Sequence, residues 1–239
     1  MSVEMSKKEK DIMRLLKSEC HLASVNYNVQ MKRFIHSVSP AGVPVFNVDE
    51  TYEKIRLAAR VISGVRNLAD VFAISSRLFG QRAAMKFAST TGCSATSSSR
   101  WTPGSLTNHQ TKQFKEPSLI LVADPYADYK AIKEASYANI PVIALCNSHN
   151  NLKYVDIAIP CNNSSTFSIS MVFWMIAREV NILRGKIDAS DDEWSEVMVD
   201  LFYFKDIEDV APAADDTQSN ADAPETNQEE DDNWNETNN

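Results

Sequence analysis

Two short apolar runs, Pro141–Leu145 and Val155–Ile159, constrain the fold more than any other feature of this chain. Neither run alternates apolar with polar residues, which predicts strands buried on both faces, as in parallel sheets covered by helices. Side chains with a function collect beyond the carboxyl ends of such strands. Here the strand-end residues are Asn147, Ser148, His149, Asn150, Cys161, Asn162 and Asn163. Amides suit hydrogen bonding rather than proton transfer, so we expect this segment to hold a shape or a partner.

Strands and helices are predicted to alternate from Asp70 onwards, which indicates an α/β three-layer sandwich with a mainly parallel sheet. We predict strands at Val71–Ile74, Ala95–Ser99, Leu119–Ala123, Val142–Leu145 and Val155–Ile159. We predict helices at Lys7–Cys20, from a cap at Asn47 or Asp49 to Gly64, and at Ser76–Ala88, Ala127–Ala138 and Thr166–Leu183. A turn at Pro40–Gly42 predicts a small N-terminal hairpin off the main sheet.

The net charge of −8 is unevenly distributed. Residues 1–187 contain 23 basic and 14 acidic residues, whereas residues 188–239 contain one basic and 18 acidic residues. The negative net charge therefore conceals that residues 1–187 are basic, because residues 188–239 are strongly acidic. Composition predicts a globular α/β domain at 1–187, an aromatic-rich C-terminal docking extension at 188–209 and a disordered acidic tail at 210–239.

The hydrophobic fraction of 44% is typical of a globular protein with a substantial core. We expect no membrane span, because Met171–Ile176, the most apolar helical stretch, is bracketed by polar residues. The N-terminus has no signal-peptide pattern. The four cysteines are scattered, which predicts reduced thiols and no metal site.

A doubly wound sheet raises the question of nucleotide binding, but the six glycines are too widely spaced for a phosphate-binding loop. We therefore predict no enzyme activity, no cofactor and no small-molecule substrate. Asp124 follows a predicted strand, where a catalytic carboxylate would lie. Because Pro125 comes next, we interpret Asp124 as a helix cap instead.

The helix predicted at Ser76–Ala88 carries the best candidate for a phosphate-facing surface. Ser75 or Ser76 is expected to cap it, and Phe79, Ala83 and Phe87 to bury against the sheet. The alternative is a solvated helix edge with no ligand. The basic and polar candidates are Arg77, Gln81, Arg82, Lys86, Arg100, Lys112, Lys115 and Lys153.

Several long strings of this chain resemble one protein family. They include Leu57–Arg60 (LAAR), Ile74–Gly92 (ISSRLFGQRAAMKFASTTG), Arg100–Asn108 (RWTPGSLTN), Asp124–Asp128 (DPYAD) and Glu196–Phe204 (EVMVDLFYF). The chain closely resembles the eukaryotic-type small-subunit ribosomal protein SA family, also called the laminin-receptor-precursor family. This family usually has Arg where the chain has Tyr126.

The resemblance implies a flavodoxin-like sandwich that serves as a structural constituent of the small cytosolic ribosomal subunit. It implies a requirement in subunit assembly and late rRNA maturation, with assembly intermediates in the nucleus. The implied partners are small-subunit rRNA, contacted by the basic candidates, and neighbouring small-subunit proteins. We expect the extension to become ordered only on such a protein or on rRNA, through Trp194, Leu201, Phe202, Tyr203 and Phe204. The alternatives are a cell-surface laminin-binding receptor and a small-molecule-binding flavodoxin-like enzyme.

Overall fold

The computed structural model describes residues 6–96, 100–188, 194 and 197–205. Contacts group the chain into one compact unit at Met1–Phe204 and a second unit at Lys205–Asn239. The acidic tail predicted at 210–239 lies outside the described residues, as do the last residues of the strand predicted at Ala95–Ser99.

Five α-helices and seven strands make up the described part of the chain. The helices are α1 (Lys7–Lys17), α2 (Val48–Gly64), α3 (Leu78–Thr91), α4 (Tyr129–Tyr137) and α5 (Thr166–Leu183). The strands are β1 (Ile35–Val38), β2 (Pro44–Phe46), β3 (Val71–Ile74), β4 (Ser94–Ala95), β5 (Leu119–Val122), β6 (Val142–Cys146) and β7 (Ile157–Pro160). Short 3₁₀ helices occur at Val29–Phe34, Leu68–Asp70 and Val199–Leu201.

The main sheet has the strand order β4-β3-β5-β6-β7, and every neighbouring pair is parallel. Alternate residues of β3 enter opposite cores: Val71 and Ala73 face α2, α3 and α5, whereas Phe72 and Ile74 face α4 and the loop at 100–115. The three-layer α/β sandwich is therefore confirmed, with the order of a flavodoxin-like fold.

The predicted hairpin is confirmed as a separate antiparallel pair, β1 with β2. Its turn places Gly42 at a φ of 79°, a left-handed conformation that glycine adopts without a steric penalty. Ser39 N–H donates to Val43 O across this turn at 2.8 Å. The hairpin thus packs beside the sheet without extending it.

The start of α3 differs from the prediction. Arg77, rather than Ser75 or Ser76, occupies the N-cap position, and no side chain caps the helix. Ser75 Oγ donates instead to Arg77 O at 3.0 Å, and Ser76 Oγ donates to Asp128. Ser76 therefore joins the loops after β3 and β5, whereas Ser75 bonds within its own loop.

The start of α4 differs as well. The helix begins at Tyr129 with Asp128 as its N-cap, so the interpretation of Asp124 as a helix cap is wrong. Asp124 accepts a hydrogen bond from Tyr126 N–H at 3.0 Å, within the loop that precedes the helix. Its buried carboxylate instead accepts hydrogen bonds from side chains beyond the ends of other strands.

Helix α5 has the predicted bounds, Thr166–Leu183. By length and composition it is apolar enough to span a membrane, which the sequence pattern did not indicate. Of this 18-residue stretch, 78% is buried inside the protein, where α5 packs against α2 and α3. The helix is hydrophobic nearly all round because it forms the centre of one core layer.

Candidate nucleic-acid interface and the strand-end network

Asp124 is the centre of a buried polar network at the carboxyl ends of the strands, with 1% of its surface exposed. Its Oδ1 accepts hydrogen bonds from Asn150 Nδ2 at 3.2 Å and from Asn163 Nδ2 at 3.1 Å. Its Oδ2 lies 2.7 Å from Nε of Arg77, which enters from the loop after β3. One carboxylate thereby connects the loops that follow β3, β5, β6 and β7.

The amides of this edge bond to one another and to the N-terminal loop. Asn150 Oδ1 accepts from Asn147 N–H at 2.7 Å and from Asn163 Nδ2 at 3.1 Å. Asn147 Oδ1 accepts from Ser24 N–H at 3.1 Å. Because these buried side chains bond to one another across several loops, the strand-end residues hold the shape of this edge.

The loops after β3 and β5 are joined directly. Sheets with this strand order accept ligands in the crevice between these two strands. Here Ser76 N–H donates to Asp128 Oδ1 at 3.1 Å, and Ser76 Oγ donates to the same oxygen. Gly80 lies so close that a Cβ added there would collide with Ser75 Oγ. Side chains of the chain itself therefore bond to each other across this crevice.

Burial raises the pKa of Asp128 to about 6, although the hydrogen bonds from Ser76 act in the opposite direction. Sequence reasoning missed the role of Asp128, even though its motif was recognised. The available signal was the pair of carboxylates in Asp124–Asp128, and no local pattern specifies that a serine 52 residues away binds one of them.

The candidates on α3 are largely engaged within the chain. Arg77 pairs with Asp124, and Arg82 Nε donates to Leu201 O at 3.1 Å. Gln81 and Lys86 are half-buried. The expectation that Phe79 buries against the sheet is wrong: 41% of its surface is exposed, whereas Ala83 and Phe87 are fully buried.

Arg100, Lys112 and Lys115 line one cleft of about 310 Å³, together with Phe72 and Trp101. Nζ of Lys115 lies 4.2 Å from the centre of the Phe72 ring, and partial burial lowers the pKa of this lysine. We name this site, lined by Arg100, Lys112 and Lys115, the cationic cleft.

The cationic cleft and the α3 candidates lie on opposite faces of the sheet, since Trp101 belongs to one core and Ala83 to the other. The structure therefore does not assemble them into one patch, because alternate residues of the strands face different layers. Lys153 lines a third site, a cleft of about 370 Å³ beside Tyr126 and Tyr129.

The described part of the extension packs on the sandwich itself. Trp194 and Phe202 belong to the core around α5, with 6% and 0% of their surfaces exposed. Trp174 Nε1 donates to Val197 O at 2.8 Å, and Ser170 Oγ donates to Phe202 O at 2.9 Å. This packing contradicts the expectation that the extension becomes ordered only on a neighbouring protein or on rRNA, since Trp194 and Phe202 are buried in the chain's own core. Leu201, Tyr203 and Phe204 keep part of their surfaces exposed.

Within the described residues, no group of three or more His, Cys, Asp or Glu side chains is placed to hold a metal ion. The four cysteines are free thiols, and burial raises the pKa of Cys146 strongly.

Comparison with known proteins identifies the family. Residues 15–116 and 111–182 match the family model of ribosomal protein S2. The chain is 50% identical over 198 residues to the small ribosomal subunit protein uS2 of Sclerotinia sclerotiorum, a match that covers 83% of this chain and 66% of that protein. It is 49% identical over 212 residues to uS2 of Talaromyces marneffei, a match that covers 89% of this chain and 71% of that protein.

The chain thus spans about two thirds of the length of these relatives. The matches extend over both cores of the sandwich and the strand-end network. The resemblance seen in the sequence is confirmed, and the chain belongs to the ribosomal protein S2 family.

Proposed function

We propose that this protein is a structural constituent of the small cytosolic ribosomal subunit, required for subunit assembly and for late maturation of small-subunit rRNA. The observation that carries the proposal is the 50% identity, over 198 residues, to a relative named as a small ribosomal subunit protein. The strand-end network supports a structural role, since its amides and carboxylates are used to join loops.

The cationic cleft is the surface that best fits the rRNA backbone. Its three cations converge on one site, and phosphate contacts by Lys and Arg supply the sequence-independent part of RNA affinity. Lys115 is partly desolvated against Phe72, so a phosphate oxygen at its ammonium group would offset that cost. Contacts of this kind position the protein on RNA without reading bases.

The test of the main proposal is sedimentation of the tagged chain in its own cells. We expect it in small-subunit and whole-ribosome fractions, and we expect its depletion to increase the precursors of small-subunit rRNA. A predominant membrane pool, with none in ribosomal fractions, would contradict the proposal and favour the laminin-binding receptor.

The test of the cationic cleft is a charge reversal at Lys112 and Lys115. The matched control reverses Lys130 and Lys133, which are exposed on α4. We expect only the cleft variant to bind small-subunit rRNA more weakly, and the slope of log K against log salt to fall by about one unit per lost phosphate contact. If both variants bind small-subunit rRNA equally well, the cationic cleft is not part of the rRNA interface.

A further inference from the structure

Thr102 lines the cationic cleft and is exposed to solvent. Pro103 follows it directly and is exposed as well. Both residues lie outside the helices and strands, and proline keeps the residue before it in an extended conformation. An exposed threonine followed by proline is the acceptor pattern of proline-directed protein kinases. The chain thus displays such an acceptor beside three cations.

The loop that carries Thr102 is held from beneath by Glu134. Trp101 Nε1 donates to Glu134 Oε2 at 2.8 Å, and Leu106 N–H donates to Glu134 Oε1 at 2.8 Å. Trp101 and Leu106 are buried, whereas Thr102 and Pro103 between them are exposed. These anchors hold Thr102 at the protein surface.

Hydrogen bonds bring Thr102 close to Lys115. Ser105 Oγ donates to Thr102 O at 2.7 Å, and Lys115 N–H donates to Ser105 O at 2.9 Å. Ser105 therefore connects the segment of Thr102 to the segment of Lys115. Both residues line the same cleft of about 310 Å³, together with Arg100 and Lys112. A phosphate on Thr102 would share this small volume with the three cations.

The electrostatics of the cleft favour a dianion. The described residues that line it include three cations and no carboxylate. Partial burial lowers the pKa of Lys115, and an anion at its ammonium group would offset this cost. A phosphothreonine carries a charge of about −1.5 to −2 at pH 7 and offers three acceptor oxygens. It therefore has the chemistry of the RNA phosphate for which the cleft is suited.

We propose that Thr102 is a phosphorylation site, and that its phosphate occupies the cationic cleft and excludes the rRNA backbone from the same cations. This inference rests on the proposed function, because it names a regulation of the cleft that binds rRNA. The phosphorylated chain is kept from rRNA, and removal of the phosphate makes the cleft accessible for assembly.

The transfer requires ATP and a proline-directed protein kinase. Thr102 Oγ1 attacks the γ-phosphorus of ATP, the bond from this phosphorus to the bridging oxygen of ADP breaks, and the hydroxyl proton passes to a base of the kinase. Hydrolysis by a phosphatase restores the hydroxyl and releases inorganic phosphate. Because rRNA in the cleft would cover Thr102, we expect the modification on chains outside ribosomes.

The first experiment places phosphothreonine at position 102 of the full chain and measures the second pKa of its phosphate by phosphorus NMR. The reference is the same phosphothreonine in a peptide of residues 100–108. We expect the pKa to be about one unit lower in the folded chain, because nearby cations favour the dianion. Lys112→Ala, a change at an exposed residue, should raise this pKa again. Equal pKa values in chain and peptide would overturn the inference.

The second experiment measures binding of small-subunit rRNA to this phosphorylated chain. The control carries phosphoserine at Ser37, an exposed residue of β1, and therefore has the same added charge outside the cleft. We expect the phosphate on Thr102 to weaken binding about tenfold, and the control to bind nearly as well as the unmodified chain. Equal binding by the two phosphorylated chains would refute the regulation.

Charge reversal at Lys112 and Lys115 separates two reasons for such a failure. If the reversal weakens rRNA binding and the phosphate does not, the cleft binds rRNA and only the regulation fails. If neither change weakens binding, the assignment of the cleft to rRNA fails, and the regulation fails with it.

The third experiment is mass spectrometry of the chain from its own cells. We expect phosphate on Thr102 in the pool outside ribosomes and about tenfold less of it in small subunits. No phosphate on Thr102 in either pool, or equal amounts in both, would overturn the inference and leave the proposed function intact. Absence of the chain from small subunits would instead refute the proposed function, and the regulation with it.

Discussion

Arg178 and Asp11, 167 residues apart, form an ion pair with both side chains fully buried. Nη1 of Arg178 lies 2.9 Å from Oδ1 of Asp11, and Nη2 lies 2.5 Å from Oδ2. Arg14 donates a further hydrogen bond to Asp11 at 3.0 Å, and the Arg178 guanidinium lies 5.1 Å from the centre of the Trp174 ring. This pair fastens α1 to the central helix α5.

Asp11→Ala should destabilise the fold strongly, because it leaves the Arg178 guanidinium buried without its main carboxylate. We expect the free energy of unfolding to fall by about 3–5 kcal/mol. Urea denaturation measures this change in the free energy of unfolding. The control is Lys8→Ala, which breaks the exposed pair with Asp49 and should leave the urea midpoint unchanged. Equal effects of the two substitutions would contradict this role of the pair.

The raised pKa of Asp128 predicts a pH dependence of stability. Between pH 3.8 and about 6 the folded protein keeps this proton while the unfolded chain loses it. The contribution of Asp128 to the free energy of unfolding therefore declines as pH rises through this window, by up to about 3 kcal/mol.

Asp128→Asn is the matched variant, because its amide stays neutral and its oxygen can still accept from Ser76. We expect the variant to gain stability relative to the parent chain as pH rises from 4 to 7, measured by urea denaturation at each pH. A constant difference across this range would show that Asp128 does not titrate with a raised pKa.

Asn163→Ala should weaken the strand-end network. The amide of Asn163 donates to Asp124 Oδ1, to Asn150 Oδ1 and to Leu145 O, all buried. Leaving these acceptors short of a donor should cost about 2–3 kcal/mol in the free energy of unfolding. Asn151→Ala, at an exposed position nearby, should cost less than about 0.5 kcal/mol. Similar values for the two variants would mean that the network does not stabilise this edge.

Charge reversal at Arg77 and at Arg82 should change the melting temperature by different amounts. Arg77→Glu places a second carboxylate beside buried Asp124, so we expect a clear fall in the melting temperature. Arg82→Glu removes one hydrogen bond to Leu201 O and should change the melting temperature much less. If Arg82→Glu folds normally but incorporates poorly into small subunits, Arg82 contributes to an interface. If both variants melt alike, the Arg77–Asp124 pair is unimportant for the fold.

Deleting residues 210–239 should leave the melting temperature of the sandwich unchanged. This segment contains one aromatic residue and no basic residue, so it has little apolar surface to bury. Differential scanning calorimetry of the truncated and full chains measures the effect. A fall of several degrees would mean that the tail contributes to the folded core.

Much of the fold follows from local sequence patterns. The runs of β3, β5 and β6 are continuous and apolar, and such runs become strands buried on both faces because only a covered sheet removes them from water. The bounds of α5 follow from its long apolar periodicity, and Asn47 caps α2 by accepting from Asp49 N–H at 3.2 Å. These features depend on neighbours in the sequence.

Only the tertiary structure decided which polar groups meet. Ser76 has the local pattern of a helix cap, yet it bonds to Asp128 because parallel strands bring the loops after β3 and β5 side by side. Phe79 has the spacing of a core residue, yet it stays 41% exposed and contacts Phe204 of the extension instead of the sheet. The sequence alone determined the elements, since burial periodicity is local. The partners of Arg77, Arg82 and Asp11 lie on other elements, so the topology determined them.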